Sequence, residues 1–473
     1  MPYKDKDWRE EQMDLVIKNG TIVTAETTFK GDIAVKDGKI KAIGAKLDPA
    51  CYKGATVVDA KGLLVLPGAI DGHTHLEMPF GGTISADSYE AGTRAAACGG
   101  TTTVFDFVLQ DFGENLVDAV KRRDELCAPQ ACIDYAFHTG VKDLSGNLID
   151  SMEESVKFGV SSFKVFMVYD FGVTDGLFYQ VLRKSKEVGA LIGVHAENKE
   201  IISMLTAEFL AQGKTSAWYH YASRPEFVEG EADFRAIQWA KSLNAPLYIV
   251  HLANAQGMAE VTKARDEGYP IFAETCPQYL YFTNEVYKRP DGRNFVCSPP
   301  MKGKASQDAL WEGIKRGDIT TIATDHCPFQ SYEKDWGKDD FTKIPNGCAG
   351  IENMYPYMLS EANKGRITFN KAVELCATNP AKLFGCAPQK GMLVPGADAD
   401  IVLYDPKKEF TISVNNMHSD YDHTIWEGVK LKGYPVATYS RGRLVYKDGE
   451  FLGKPGEGKF VKCKPVRHKT PNL

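Results

Sequence analysis

Three textures of apolar and polar positions divide the chain. From residue 14 to residue 66 short alternating runs predominate: Asp14-Leu15-Val16-Ile17-Lys18-Asn19-Gly20-Thr21-Ile22-Val23, then Asp32–Val35, Lys39–Ile43 and Thr56–Asp59. A period of two predicts half-buried strands. Asn19-Gly20 and Asp37-Gly38, flanked by alternating apolar residues, predict tight hairpin turns. The same texture returns at Asp400–Pro406 and at Val436–Tyr446, followed by Asp448-Gly449. Both ends of the chain are therefore β-rich. The economical reading is one sheet domain assembled from both termini.

The middle of the chain alternates strand-like apolar runs with amphipathic helical stretches, the pattern of a parallel α/β sheet. The strand candidates are Leu63–Ile70, Thr102–Val108, Cys132–His138, Ser162–Val168, Leu191–His195, Pro246–His251, Pro270–Thr275 and Thr320–Thr324. Helical patterns stand between most of them, as at Asn115–Cys127, Gly176–Val188, Glu231–Leu243 and Gly257–Glu267. Eight such strands over about 260 residues match the size of a (β/α)8 TIM-like barrel. An open doubly wound sheet is the alternative, but it calls for a Gly-rich phosphate loop after the first strand. The expected organisation is an α/β fold: residues 1–66 as part of a small β-sandwich, 67–394 as the barrel, and 395–473 as the rest of the sandwich and a tail.

Composition narrows the function classes. Of 473 residues, 43% are hydrophobic and 25% charged, as in an ordinary globular protein. With 56 basic and 62 acidic residues the net charge is −6, and no dense Lys/Arg stripe argues for a nucleic-acid partner. Residues 1–11 are charged and lack the apolar core of a secretory leader, and no apolar run reaches transmembrane length. The eleven cysteines are scattered, without the spacing of a zinc module or disulfide framework, so the expected compartment is the reducing cytoplasm.

Barrel chemistry stands at the C-terminal ends of the strands. The first predicted strand runs into Asp71-Gly72-His73-Thr74-His75, where alternation puts both histidines on one side. The fourth, Phe163-Lys164-Val165-Phe166-Met167-Val168-Tyr169, carries Lys164 inside an apolar run, and lysine is almost never fully buried unless paired. The fifth ends at His195, the sixth at His251 and the eighth at Asp325. A lone histidine at a strand end is ordinarily structural. Four histidines and an aspartate ending four strands predict a metal site, with ligands suited to zinc, iron or manganese. His326 points to the opposite face from Asp325 and reads as structural, whereas Cys327 shares the Asp325 face. His138 reads as packing, and His418 and His423, in a polar stretch before Trp426, read as solvent-facing.

These residues carry a resemblance. The chain resembles the cyclic amidohydrolases of the amidohydrolase superfamily, in the dihydropyrimidinase/D-hydantoinase branch, from Asp14 to Lys462. The motifs are Asp71-Gly72-His73-Thr74-His75-Leu76-Glu77-Met78-Pro79-Phe80-Gly81-Gly82-Thr83, Phe163-Lys164-Val165-Phe166-Met167 and Val194-His195-Ala196-Glu197. Further along stand Glu274-Thr275-Cys276-Pro277-Gln278-Tyr279-Leu280, Cys297-Ser298-Pro299-Pro300-Met301, Thr324-Asp325-His326-Cys327-Pro328-Phe329 and Ile344-Pro345-Asn346-Gly347.

The resemblance implies two divalent ions, usually zinc. His73, His75 and Asp325 would hold one and His195 and His251 the other, bridged by Lys164 after carboxylation by CO2. It implies hydrolysis of a cyclic amide C–N bond by a metal-bridged hydroxide, giving N-carbamoyl amino acids from dihydropyrimidines or 5-substituted hydantoins. Asp325 would move the proton and Tyr169 would hydrogen-bond the developing oxyanion, while backbone groups at Ser298 and Asn346 would grip the ring. It also implies a homotetramer. Within the superfamily, dihydroorotases place Arg where this chain has Glu77; allantoinases usually carry Asn there and are the second reading. A non-catalytic scaffold would have lost ligands that are all present here, and a mononuclear deaminase would not require Lys164. Val168-Tyr169-Asp170, Ala253-Asn254-Ala255, Cys297 and Met301-Lys302 depart from the branch pattern and leave substrate preference open.

Overall fold

The computed structural model describes residues 12–48 and 52–473. The reading of residues 1–11 as lacking a leader lies outside the described residues. β1 (Leu15–Val23), β2 (Thr28–Lys36), β3 (Lys39–Gly44), β4 (Thr56–Asp59) and β5 (Leu64–Pro67) open the chain, with β1–β2 and β2–β3 antiparallel. Asp37-Gly38 turns β2 into β3 as predicted, but Asn19-Gly20 is no turn: it lies inside β1, where Asn19 (φ 62°) marks a shift in register against β2, and the chain reverses instead at residues 24–27. β6 (Ala69–Thr74) follows β5 after one residue but belongs to a different sheet. The single strand expected over Leu63–Ile70 is therefore two strands. The switch occurs at Gly68, whose N–H donates to Asp400 O in one sheet (2.9 Å) while Ala69 N–H donates to Gly100 O in the other (3.0 Å). A Cβ on Gly68 would lie 2.1 Å from Thr102 Oγ1, so the close approach requires glycine.

A short hairpin, β7 (Pro79–Phe80) with β8 (Thr83–Ile84), separates β6 from the rest of the inner sheet. That sheet continues through β9 (Thr101–Leu109), β10 (Asp134–Gly140), β11 (Ser162–Phe166), β12 (Leu191–His195), β13 (Leu247–Ile249), β14 (Ile271–Thr275) and β15 (Thr321–Ile322). All neighbours pair in parallel, and β6, β9, β10, β11, β12, β13, β14 and β15 lie in sequence order around the expected barrel. Their side chains are buried almost throughout, because the barrel packs one face and the helices cover the other. The seam between β15 and β6 is closed by Asp71, whose carboxylate accepts from Thr324 N–H (3.1 Å) and Thr324 Oγ1 (2.6 Å), and by His75 N–H donating to His326 O (2.9 Å). This clasp ties together the two chain segments that carry His73, His75 and Asp325.

The expected helices form at Leu116–Cys127, Asp175–Val188 and Ala255–Asp266, capped by the side chains of Asn115, Thr174 and Asn254. The helix expected from Glu231 starts earlier, at Glu226, directly after Pro225 and with Glu226 and Glu229 in its first turn. After the barrel, β16 (Ile401–Thr411), β17 (Lys430–Ser440), β18 (Arg443–Lys447) and β19 (Glu450–Phe451) return to the first sheet. The terminal β unit predicted from both chain ends is thus present as one nine-stranded sheet, with β5 between N-terminal β1 and C-terminal β16. Among the described residues no helix is long and apolar enough to cross a membrane.

Candidate metal centre

A cavity opens at the C-terminal end of the barrel strands. Its lining includes all nine residues singled out in the sequence: His73, His75, Lys164, Tyr169, His195, His251, Ser298, Asp325 and Asn346. β6 delivers His73 and, one residue past its end, His75; β11 delivers Lys164 and β12 His195. His251 and Asp325 follow β13 and β15, and the loops after β14 and β15 bring Ser298 and Asn346.

The Asp325 Oδ1 atom lies 3.2 Å from His73 Nε2 and 3.1 Å from His75 Nε2. Ligand atoms of these three residues fall within 4.8 Å of one another, a group able to hold a metal ion. The rings of His195 and His251 meet edge to face with centroids 4.5 Å apart, and His251 lies 5.3 Å from His73. His73 Nε2, His75 Nδ1, Lys164 Nζ and His251 Nδ1 are buried without a hydrogen bond. A buried polar atom left unpaired is costly, and several aimed into one cavity fit a cation. Burial holds His73 and His251 well below the ordinary imidazole range and lowers His195 as well, so the rings are in their neutral, ligating form. Burial also lowers Lys164 to about 7.

Three residues at the mouth hold left-handed backbone: Tyr169 (φ 69°), His251 (φ 40°) and Asp325 (φ 52°). Non-glycine residues adopt this region rarely and at a cost, and such outliers concentrate at functional sites. All three side chains line the cavity.

Sequence reasoning gave no role to two carboxylates that hold the histidines. Glu274, at the end of β14, accepts from His73 Nδ1 at 2.7 Å, and Glu197 accepts from His195 Nε2 at 2.8 Å. Both are fully buried. The signal was available, since Glu274 interrupts the apolar run Ile271-Phe272-Ala273 as Lys164 interrupts its own. Arg224 Nε stands 3.7 Å from the other oxygen of Glu197. His326 is structural as expected: its Nε2 meets Asp87 at 2.8 Å and its Nδ1 accepts from Gly350 N–H at 3.0 Å. His138 bonds Ser162 Oγ and Gly72 O, away from the ligands. His418 and His423 differ from the expectation of solvent exposure; both are largely covered, and each is paired to a carboxylate, Glu352 and Asp422.

The wall opposite the histidines is polar at one edge and aromatic at the other. Asn346 Nδ2 donates to Ser298 Oγ at 3.1 Å, and Tyr169 lines the same cavity. Burial pushes the Tyr169 phenol up, so it stays a donor at neutral pH. Phe80 and Phe171 pack on Tyr169, each with ring centroids 5.4 Å away, and Phe166 completes the apolar side.

Comparison with known proteins agrees with this geometry. Residues 64–445 match the model of the amidohydrolase family, and residues 1–63 match that of the urease alpha-subunit N-terminal domain. The chain is 43% identical to a D-hydantoinase of Geobacillus stearothermophilus over 95% of its own length and 96% of the relative's. It is 41% identical to a D-phenylhydantoinase of Escherichia coli O139:H28, over 96% and 99% of the two chains. Among solved structures, a dihydropyrimidinase from Brevibacillus agri superposes with a TM-score of 0.94 at 41% identity, over 96% of this chain and all of the other. A family match across most of the chain, a barrel of the right topology and neutral histidines gathered around a buried lysine lead to one assignment: the chain belongs to the amidohydrolase family.

Proposed function

We propose that the chain opens cyclic amides, hydrolysing a ring C–N bond of a dihydropyrimidine or 5-substituted hydantoin to give an N-carbamoyl amino acid. The observation that carries this reading is Lys164. It is buried, makes no hydrogen bond and is lowered to about 7, so a large share of its amine is neutral and nucleophilic at physiological pH. Its register neighbours on both sides are glycines, Gly140 and Gly193. A Cβ on Gly193 would already touch Lys164 Cδ at 3.6 Å, so the absence of a side chain at Gly193 leaves room along the lysine. The neutral amine adds to CO2 and releases a proton, leaving a carbamate whose single negative charge is shared by two oxygens.

In this reading His73, His75 and Asp325 would hold one divalent ion and His195 and His251 a second, with carboxylated Lys164 as a further anionic ligand. Zinc suits the donor set. Bound there, the ions supply an acidified water at neutral pH and polarise the scissile carbonyl. Asp325 takes the proton of the attacking water and returns it to the leaving ring nitrogen. The Tyr169 hydroxyl donates to the oxygen on which negative charge develops. Ser298 and Asn346 hold the N–C=O edge of the ring, and Phe80, Phe166 and Phe171 favour an apolar or aromatic exocyclic substituent. This matches the kind of ring named for the hydantoinase and phenylhydantoinase relatives.

The cavity lining falls wholly within residues 67–394, which supports that span as the catalytic unit and 1–66 with 395–473 as its scaffold. The ten described cysteines are free and buried, in keeping with a reducing cytoplasm. A homotetramer follows from the resemblance. The test is a side-by-side assay of zinc-loaded protein on dihydrouracil, 5-phenylhydantoin and allantoin, with metal measured on the same sample. Two ions per chain with opening of either of the first two rings are expected. Opening of allantoin alone would move the assignment to an allantoinase, and absence of both metal and turnover would overturn it.

A further inference from the structure

We infer that Glu274 is a positioning residue that couples the two halves of the metal centre through a single oxygen. Its Oε1 accepts from the His73 ring at Nδ1 (2.7 Å) and from the backbone N–H of His251 (3.0 Å). His73 lies on β6 with the first proposed ion, and His251 follows β13 with the second. The inference rests on the proposed ligand assignment and deepens it.

The geometry specifies what each bond does. With its Nδ1 proton committed to Glu274, His73 presents Nε2 to the cavity, the atom that is otherwise unpaired and faces Asp325. The second bond holds His251 in its left-handed backbone, the conformation that turns this side chain inward. The same strand end braces that turn further: Leu252 N–H donates to Glu274 O (2.8 Å), and Thr275 Oγ1 donates to Leu252 O (2.8 Å). The other carboxyl oxygen is anchored by the Tyr248 hydroxyl (2.5 Å), which also meets Thr321 Oγ1 (2.6 Å). Glu197 provides the contrast, because it contacts one ligand only, His195 at Nε2, and has Arg224 on its other oxygen.

The distinction is read from metal binding without substrate. Metal-free wild type, E274Q, E274L and E197L are titrated with zinc against a chromophoric chelator, and the cobalt forms are compared by absorption. E274L is expected to weaken both ions about 10–100-fold, and E197L one ion only. E274Q restores binding close to wild type, since its amide oxygen can accept both bonds while its NH2 faces Tyr248. Unchanged affinity in E274L, loss of a single ion in E274L, or E274Q as weak as E274L would each overturn the coupling while leaving the wild-type metal centre standing. A wild type that binds no divalent ion would remove both the proposed function and this inference. If E274L does not melt cooperatively, the cobalt-substituted wild type decides. A hyperfine-shifted His73 N–H protected from solvent exchange supports the Glu274 bond, and exchange as fast as in free imidazole overturns it.

Discussion

Of the four lysines buried among the described residues, Lys164 and Lys390 stand at opposite ends of the barrel, and their surroundings are opposite. Lys390 lies at the junction of the barrel and the terminal sheet. There it meets Asp134 at the start of β10 and Asp398 (3.0 Å) and Asp400 (2.9 Å) before β16. Burial works against its charge, yet Asp400, Asp134 and Asp398 hold its ammonium well above the ordinary lysine range. Lys164 at the mouth has no hydrogen-bond partner, sits over the rings of Phe107 and Phe166, and is lowered to about 7. Equal burial therefore means different things. A lysine matched by carboxylates is a fastener, whereas an unmatched one among empty-handed histidines is a reactive amine awaiting a partner.

The largest expected effect comes from removing the unmatched lysine. Lys164→Met should lower turnover by more than about 10⁴-fold, because the water nucleophile reverts toward its bulk pKa of about 15.7 from about 7. The same change removes a buried, unpaired amine, so the variant should melt no lower than metal-free wild type. A K164M protein that kept both ions and its activity would erase the contrast. Asp325→Asn follows: it should retain metal yet lose about 10²–10⁴-fold in turnover, the range for a general acid–base group. Wild-type turnover in D325N would refute the proton-transfer role.

Lys390→Met should give the reverse profile. It strands Asp400 and leaves Asp134 to Arg441 and Asp398 to the half-exposed Lys39, so unfolding free energy should fall by about 3–5 kcal/mol. The folded fraction should still bind metal with wild-type stoichiometry. Denaturant melts with metal analysis of the same samples separate the two lysines, and a K390M protein as stable as wild type would break the distinction.

The contrast also explains what the sequence could reveal. Lys164, His73, His75, His195, His251 and Asp325 were legible because each ends or interrupts an apolar strand, where local pattern exposes an oddity. The barrel was legible for the same reason, through the regular return of such strands. The split at Gly68 was not, because the apolar run is continuous and only the change of partner from Asp400 to Gly100 divides it. Glu274 and Glu197 were passed over because their roles lie in bonds to side chains, and for Glu274 that partner is 201 residues away. His418 misled because its surroundings are polar, but the polarity belongs to partners that bury it.

His418 supplies the smallest and most discriminating test. With Cys98 and Glu352 it forms a second group whose ligand atoms lie within 4.8 Å, by proximity as good a candidate as the histidines at the mouth. Here, however, the partners satisfy one another. His418 Nδ1 donates to Glu352 Oε1 (2.7 Å), its backbone N–H to Oε2 (2.8 Å), and its Nε2 to Gly449 O (3.1 Å). A ring that donates from both nitrogens is an imidazolium. Burial opposes that charge, but Glu352 and Gly449 raise the ring above the ordinary 6.5. A histidine whose folded pKa is raised contributes its full stability below the unfolded value, and loses it as pH rises through the folded one. The advantage of wild type over H418Q should accordingly be about 1.5 kcal/mol near pH 6 and shrink toward pH 9, measured by urea midpoints at each pH. A difference that stays constant across that range would show a ring that is neutral throughout, donating from Nδ1 to Glu352 with its Nε2 lone pair free. The second cluster would then resemble the metal centre in the feature that now separates them.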